Sequence, residues 1–293
     1  MDFVYIASIG TLPGSPARRS DAFEHDRMMD ELRAGAPASV AWHDVAWDDA
    51  SVDWGQFDAA IIGTAWDYWD RQDAFLARLK DIAKQTALFN PPELVKWNIH
   101  KSYLQDMETR GARLIPTLWL DKANVETVTA AFDALGSDDI VLKRQVGAGA
   151  DGQYRLKRGE PVPAMPHPMM AQPFLKAILT EGEYSFIFID GAFSHALVKC
   201  AAEGDYRIQS SYGGTDHAIT PSPADLSAAR AMLDAVDTPD GRPPLYARID
   251  LLRAPDGGVF LMEVEAIEPF LYPVEGPGLG KRVADALIKR ISA

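Results

Sequence analysis

The sequence predicts an α/β region that runs into an α+β region. Three observations carry this. Residues 1–95 alternate strand and helix patterns, the later segments are mostly strands joined by turns, and a tight hairpin with charged residues lies near the C-terminus. In the first region FVYIAS, SVAWHDV, FDAAIIGT and TALFN read as strands, and residues 20–34 and 70–85 as helices. That rhythm describes a small parallel sheet. NPPELV ends it, because Pro91 and Pro92 stop regular structure. Asn98 is positioned to N-cap a helix through IHKSYLQDMETRG, with Gly111 as its stop. IPTLWL leads into a helix near 123–135, and DDIVLKRQVGAGADGQYRLKRG reads as two strands joined by a glycine-rich tip. After the proline-rich loop GEPVPAMPHP come the strands PMMAQPF, EYSFIFIDG, FSHALVKC and DYRIQSSY, a helix over 223–236, the hairpin, and a closing helix over 278–291.

The chain has 293 residues, enough for a large core and one to three domains. Its 29 basic and 42 acidic residues give a net charge of −13, which argues against nucleic acid or an anionic membrane as main partner. Cys200 is the sole cysteine, so neither an intrachain disulfide nor a cysteine zinc cluster can form, and its VKC context reads as a small buried hydrophobe. MDFVYIASIG has no basic leader, and no apolar run approaches the roughly 18 residues of a membrane span. A cytoplasmic protein is expected. The six histidines show no metal-ligand spacing, and no G-x-S-x-G nucleophile motif occurs.

The hairpin YARIDLLRAPDGGVFLMEVEA is the most informative stretch. Strand side chains alternate faces, so Glu263 and Glu265 share one face while Met262 and Val264 share the other. A turn at Asp256-Gly257 sets Asp250 opposite Glu263 and Arg248 opposite Glu265; a turn at Gly257-Gly258 sets Asp250 opposite Glu265. Either register gathers three carboxylates and one arginine on one patch. Like charges facing each other on a sheet repel, so further positive charge is expected there. A hard cation with oxygen ligands supplies it, and Mg²⁺ usually arrives with phosphates.

The tip Gly147-Ala-Gly149-Ala-Asp-Gly152 matches G-x-G-x-x-G, but QYRLKRG after it has no helical stripe, which a dinucleotide fold would need. It reads instead as a flap whose backbone amides can approach phosphates. Lys143 sits four residues before it in the apolar strand IVLK, a place that suits an anion contact.

WNIHKSYL, VLKRQVGAGADG, MMAQPFL, GEYSF, DYRIQSSYGG, ARIDLL and MEVEAIEP occur in the order seen in ATP-grasp enzymes. The chain resembles the branch that contains bacterial glutathione synthetase, over nearly its whole length. Within it, WNIHKSYL and MEVEAIEP are similar to the O-ureido-serine cyclo-ligases of cycloserine biosynthesis and their relatives. The resemblance implies an N-terminal α/β substrate domain over 1–113, a lid subdomain with the glycine flap over 114–174, and a C-terminal domain with the metal and catalytic face over 175–293. It implies that Lys101 and Lys143 contact nucleotide phosphates under the Gly147, Gly149 and Gly152 flap. Gln172 and the backbone through Phe174 and Leu175 would meet adenine, Glu183 the ribose hydroxyls and Lys199 the transferred phosphate. Arg207 and Arg248 would face an acyl-phosphate, and Asp250, Glu263 and Glu265 would ligate Mg²⁺, or Mn²⁺ in its place. The branch usually has asparagine where Glu265 stands, although the cyclo-ligases also carry glutamate. Phe270 occupies a place where a cyclo-ligase would have a small polar residue.

The implied activity is ATP-dependent activation of a small carboxylate as an acyl-phosphate, then joining or ring closure with an amine-type nucleophile. The substrate would be amino-acid- or peptide-like, and the chain a monomer or homodimer. An ATP-grasp kinase, or a nucleotide-binding regulator without turnover, are the alternatives. Trp66 and Asp67, after the strand IIGT, lie where open α/β sheets place ligand loops.

Overall fold

The computed structural model describes the whole chain except Ala148, Asp151, Ser210 and Ser211. The alternating first region forms β1 (Asp2–Ala7), α1 (Phe23–Gly35), β2 (Ala41–Ala46), β3 (Ala59–Ile62), α2 (Gln72–Ile82) and β4 (Ala87–Phe89). Its four strands pair in parallel in the order β2-β1-β3-β4. Val4, Ile6, Ala60 and Ile62 bury one face against Phe75, Leu79 and Ile82 of α2; Phe3, Tyr5 and Ile61 bury the other against Met28 and Leu32 of α1. Burial on both faces is what an all-parallel sheet requires.

Two expectations fail at the exit from this sheet. Pro91 and Pro92 do not end regular structure: Pro92 starts α3 (Pro92–Ile99), where its missing N–H costs nothing. Asn98 therefore caps no helix, and the expected single helix is split, with α4 (Tyr103–Thr109) following a turn at Lys101 and Ser102. Asn98 instead donates to the Val264 carbonyl at 3.0 Å and accepts from the Ala266 N–H at 2.9 Å.

Next come β5 (Leu118–Leu120), α5 (Val125–Leu135), β6 (Asp139–Arg144), β7 (Tyr154–Lys157) and β8 (Met169–Pro173). They form an antiparallel sheet in the order β5-β8-β6-β7, with the glycine tip between β6 and β7. The tip's Ala148 and Asp151 lie outside the described residues. Gly147, Gly149 and Gly152 all take positive φ, at 139°, 64° and 63°, a region glycine enters without a Cβ penalty.

The last part comprises α6 (Ala177–Thr180), β9 (Glu183–Ile189), β10 (Ala192–Cys200), β11 (Thr215–Ile219), α7 (Pro223–Asp234), β12 (Tyr246–Arg253), β13 (Val259–Glu265) and α8 (Leu279–Ile291). Its antiparallel sheet has the order β11-β10-β9-β12-β13. DYRIQSSY is not a strand: 205–209 run without regular pairing, and Ser210 and Ser211 lie outside the described residues. Asp205 accounts for this, since its carboxylate takes the backbone N–H groups of Tyr206 and Arg207 at 2.7 and 3.0 Å, a local bond that competes with a ladder. Cys200 is half-buried at the end of β10.

At its charged residues the hairpin has the pairing expected for the Asp256-Gly257 turn, and the pairing of the Gly257-Gly258 turn does not occur. Ala254 N–H bonds the Gly258 carbonyl at 2.8 Å, so the turn holds three residues, with Gly257 at φ 85°. Arg248 pairs Glu265 and Asp250 pairs Glu263, whereas Leu251 pairs Leu261. Met262 is the extra residue of a bulge. A bulge places two successive side chains on the same side, and Met262 and Glu263 both line one cavity while Leu261 and Val264 enter the core. Strict alternation had put Met262 with Val264. The bulge corrects that assignment.

Candidate active site

A cavity of about 300 Å³ opens between the three sheets. Its floor is apolar: Ile115, Val141, Phe174, Ile178, Ile208 and Leu252 pack together, with Phe260 and Met262 against them. Leu252 extends the Arg248–Asp250 face by one alternation, so β12 passes from charged to apolar along one side of the sheet. Gln172 is buried beside this floor and donates to Thr117 Oγ1 at 2.9 Å. Leu175 lines the cavity as well. The Phe174 N–H is already bonded to the Asp139 carbonyl at 2.9 Å, so that amide is not available to a base; the ring instead carries the Arg155 guanidinium at 3.4 Å.

Beyond the floor the lining becomes charged. Lys101 pairs with Glu263, Lys199 with Glu183 and, at 3.4 Å, with Asp250. Arg248 grips Asp250 through two nitrogens at 2.9–3.1 Å, pairs with Glu265, and donates to the Phe270 carbonyl at 3.1 Å. Ser185 donates to Asp250 at 2.5 Å. Burial pushes Asp250 upward, but Arg248 and Lys199 outweigh it and hold the carboxyl below its ordinary value. Burial wins at Glu183 and Glu265, which lie above the ordinary range despite Lys199 and Arg248. These cations answer part of the positive charge that sequence reasoning found wanting.

Lys143 is different. Among the described residues its amine makes no ion pair or hydrogen bond, and burial lowers its pKa although Glu263 and Glu183 oppose the shift. An unpaired cation of this kind suits an anionic ligand. Gly147 and Gly149 line the same space; Gly152 does not, and packs on Arg144, whose Cδ would lie 2.7 Å from an added Cβ. Arg207 lines the cavity, paired bidentately with Asp205 and stacked 3.7 Å over Tyr212. Trp66 lines it too, whereas Asp67 accepts from Trp47 Nε1 at 2.7 Å and pairs with Arg71 outside it.

Asp250, Glu263 and Glu265 offer only oxygen donors, the set a hard cation takes. Among the described residues no three His, Cys, Asp or Glu side chains converge as a metal cluster by themselves. The arrangement fits Mg²⁺, which binds through one or two carboxylates and completes its shell with phosphate oxygens and water. Sequence reasoning gave no role to Arg19, Glu24, Asp216, Glu268 or Tyr272, and of the apolar floor it named only Phe174. Only Tyr272 has a local oddity, a non-glycine φ of 49°, and that is visible in the structure alone.

This fold, a parallel sheet followed by two antiparallel sheets with a cavity between them, is the ATP-grasp fold. The family model for the N-terminal domain of D-cycloserine synthetase DcsG matches residues 6–90. Cycloserine biosynthesis protein DcsG of Streptomyces lavendulae is 28% identical over 268 residues, covering 84% of this chain and 87% of that protein. The crystal structure of D-cycloserine synthetase DcsG superposes with a TM-score of 0.82 at 25% identity, covering 99% of this chain and 100% of the other. D-alanine–D-alanine ligase from Bacillus anthracis, complexed with ATP, shares the fold at a TM-score of 0.67 and 15% identity, covering 100% and 97%. The ATP-grasp ligase PsnB, complexed with its minimal precursor, Mg and ADP, does so at 0.65 and 16%, covering 99% and 98%.

Proposed function

We propose that this chain is an ATP-dependent carboxylate–amine ligase acting on a small amino-acid- or peptide-like substrate. The unpaired Lys143 between the apolar floor and the carboxylate face is the observation that carries it. The floor from Val141 to Met262 would receive the adenine, with the Gln172 side chain and the Leu175 backbone at its edge, and Glu183 would take the ribose hydroxyls. Lys143 and Lys101 hold phosphates electrostatically, as compact charges that follow a moving group. Asp250, Glu263 and Glu265 would hold Mg²⁺, which neutralises phosphate charge during transfer. Lys199, Arg207 and Arg248, which all line the cavity, would stabilise the oxyanion of a developing acyl-phosphate, so that positioning and preorganised charge supply the acceleration. The likeness to D-cycloserine synthetase supports ring closure as the second step, while Phe270 argues for a substrate of different shape.

The test is release of ADP and phosphate from Mg-ATP across amino acids, O-substituted serines and dipeptides. Stoichiometric ADP, phosphate and a condensed product are expected with at least one substrate. Accumulation of a stable phosphorylated substrate would identify a kinase, and nucleotide binding without ADP formation across the panel would identify a regulator.

A further inference from the structure

The end of the cavity toward the parallel sheet is built unlike the nucleotide end. Trp66 donates from Nε1 to the Glu268 carbonyl at 3.3 Å, so the indole lies beside that residue. Phe270 and Tyr272 meet edge to face with centroids 4.8 Å apart. All four residues line the cavity. Two guanidinium groups reach this end, and both are committed. Arg19 gives Nε and Nη2 to Asp21 at 2.8 and 2.7 Å and Nη1 to the Trp66 carbonyl at 3.1 Å. Arg248 serves Asp250, Glu265 and the Phe270 carbonyl. Carboxylates are in surplus: among the described residues neither Glu268 nor Asp216 makes an ion pair, and both line the cavity. Burial, with Glu265 adding to it, pushes Glu268 up to about 8, the behaviour of a carboxyl lacking a counter-charge.

We propose that this end receives a protonated primary amine of the substrate, bound to the Glu268 carboxylate and flanked by the rings of Trp66 and Phe270. The inference rests on the ligase reading of the same cavity and orients the substrate within it. An ammonium group has three donors for a carboxylate and is attracted by aromatic faces. A substrate carboxylate would find no uncommitted guanidinium at this end, because Arg19 and Arg248 are held by Asp21, Asp250 and Glu265, so the carboxylate to be activated points toward Lys143 and the phosphates. The substrate class is thus an amino acid or amino-terminal peptide, and not a dicarboxylate.

Ligand-observed NMR titration tests this with two probes of one skeleton, serine amide and glyceramide, which differ by ammonium against hydroxyl. With Mg-AMPPNP present, serine amide is expected to bind the wild type at least tenfold more tightly than glyceramide. Glu268→Gln should erase that preference while keeping the affinity for Mg-AMPPNP. Equal binding of the two probes, no binding of serine amide, or a preference surviving in Glu268→Gln overturns the proposal. Should Glu268→Gln lose nucleotide binding through misfolding, Phe270→Leu decides: a smaller preference supports the proposal and an unchanged one overturns it. A titration of Mg-AMPPNP by itself separates the two readings: its failure to bind the wild type sinks the ligase reading, whereas its binding alongside an overturning result above sinks the ammonium site alone.

Discussion

Individual residues behave in ways that a list of charges does not convey. Crowded carboxylates suggest that neutralising Glu263 would relieve repulsion and stabilise the empty protein. The geometry reverses that sign, because Glu263 is the partner of Lys101, a mostly buried lysine. Glu263→Gln leaves that amine with a weaker acceptor, and we expect it to lower stability without nucleotide by about 1–2 kcal/mol. Denaturant unfolding reads this directly, and a variant as stable as the wild type would refute the pairing. A second residue sets a pH dependence. His195 is buried, with Nε2 at 3.0 Å from the Leu271 carbonyl and Nδ1 at 2.8 Å from Ser194 Oγ. Burial pushes it down to about 4, against about 6.5 in an unfolded chain. Between those values the unfolded chain binds a proton that the fold does not. This contribution is therefore complete above about pH 6.5 and is lost as pH falls toward 4, by roughly 3 kcal/mol. Unfolding at pH 7, 5.5 and 4.5 should show that slope in the wild type and a flatter one in His195→Asn; identical slopes would assign the dependence elsewhere.

At the scale of elements, β13 is the controlling piece, since it carries the carboxylates and ends its sheet. An unprotected edge would expose backbone groups, and side chains from distant segments close it. Tyr103 hydroxyl donates to the Val264 carbonyl at 3.0 Å and accepts its N–H at 2.8 Å. Asn98 bridges Val264 and Ala266, and Asn90 donates to the Ala266 carbonyl at 2.8 Å. Leu261 N–H bonds the Arg113 carbonyl at 2.8 Å. Tyr103→Phe removes one oxygen and strands the buried Val264 N–H, while the carbonyl keeps Asn98, at a cost of about 1–3 kcal/mol. Hydrogen exchange at the Val264 amide should accelerate in that variant. Unchanged protection would mean that the strand is held by its pairing with β12 alone.

Across the whole molecule, the C-terminal helix ties the first layer to the last. α1 and α8 cross so closely that a Cβ on Gly280 would lie 2.0 Å from the Glu31 carbonyl oxygen, and one on Gly35 2.3 Å from the Lys281 nitrogen. Backbone cannot yield as a flexible side chain can. Gly280→Ala is expected to lower the melting temperature by about 3–10 °C, the consequence of overpacking by roughly 1–3 kcal/mol in a protein of this size. Lys281→Ala, at an exposed neighbour, should leave it near the wild-type value. Equal melting of the two variants would show that the helices can part without cost.

The sequence by itself determined the alternating first layer, the β6–β7 hairpin with its glycine tip, and a carboxylate face on β12 and β13. Those features are encoded within ten or so residues, through periodicity and turn chemistry, and no distant partner can change the face on which Glu263 and Glu265 sit together. Tertiary structure alone decided what surrounds them. The counter-ion of Glu263 lies 162 residues away; the apolar floor is assembled from separate segments whose residues read, in sequence, like any other core. A bulge moved Met262 to the cavity side, and Asn98 became a clamp on a strand instead of a helix cap. Charge balance, exposure and the freedom of Lys143 depend on which segments meet, because burial and Coulomb interaction act through space and take no account of sequence distance.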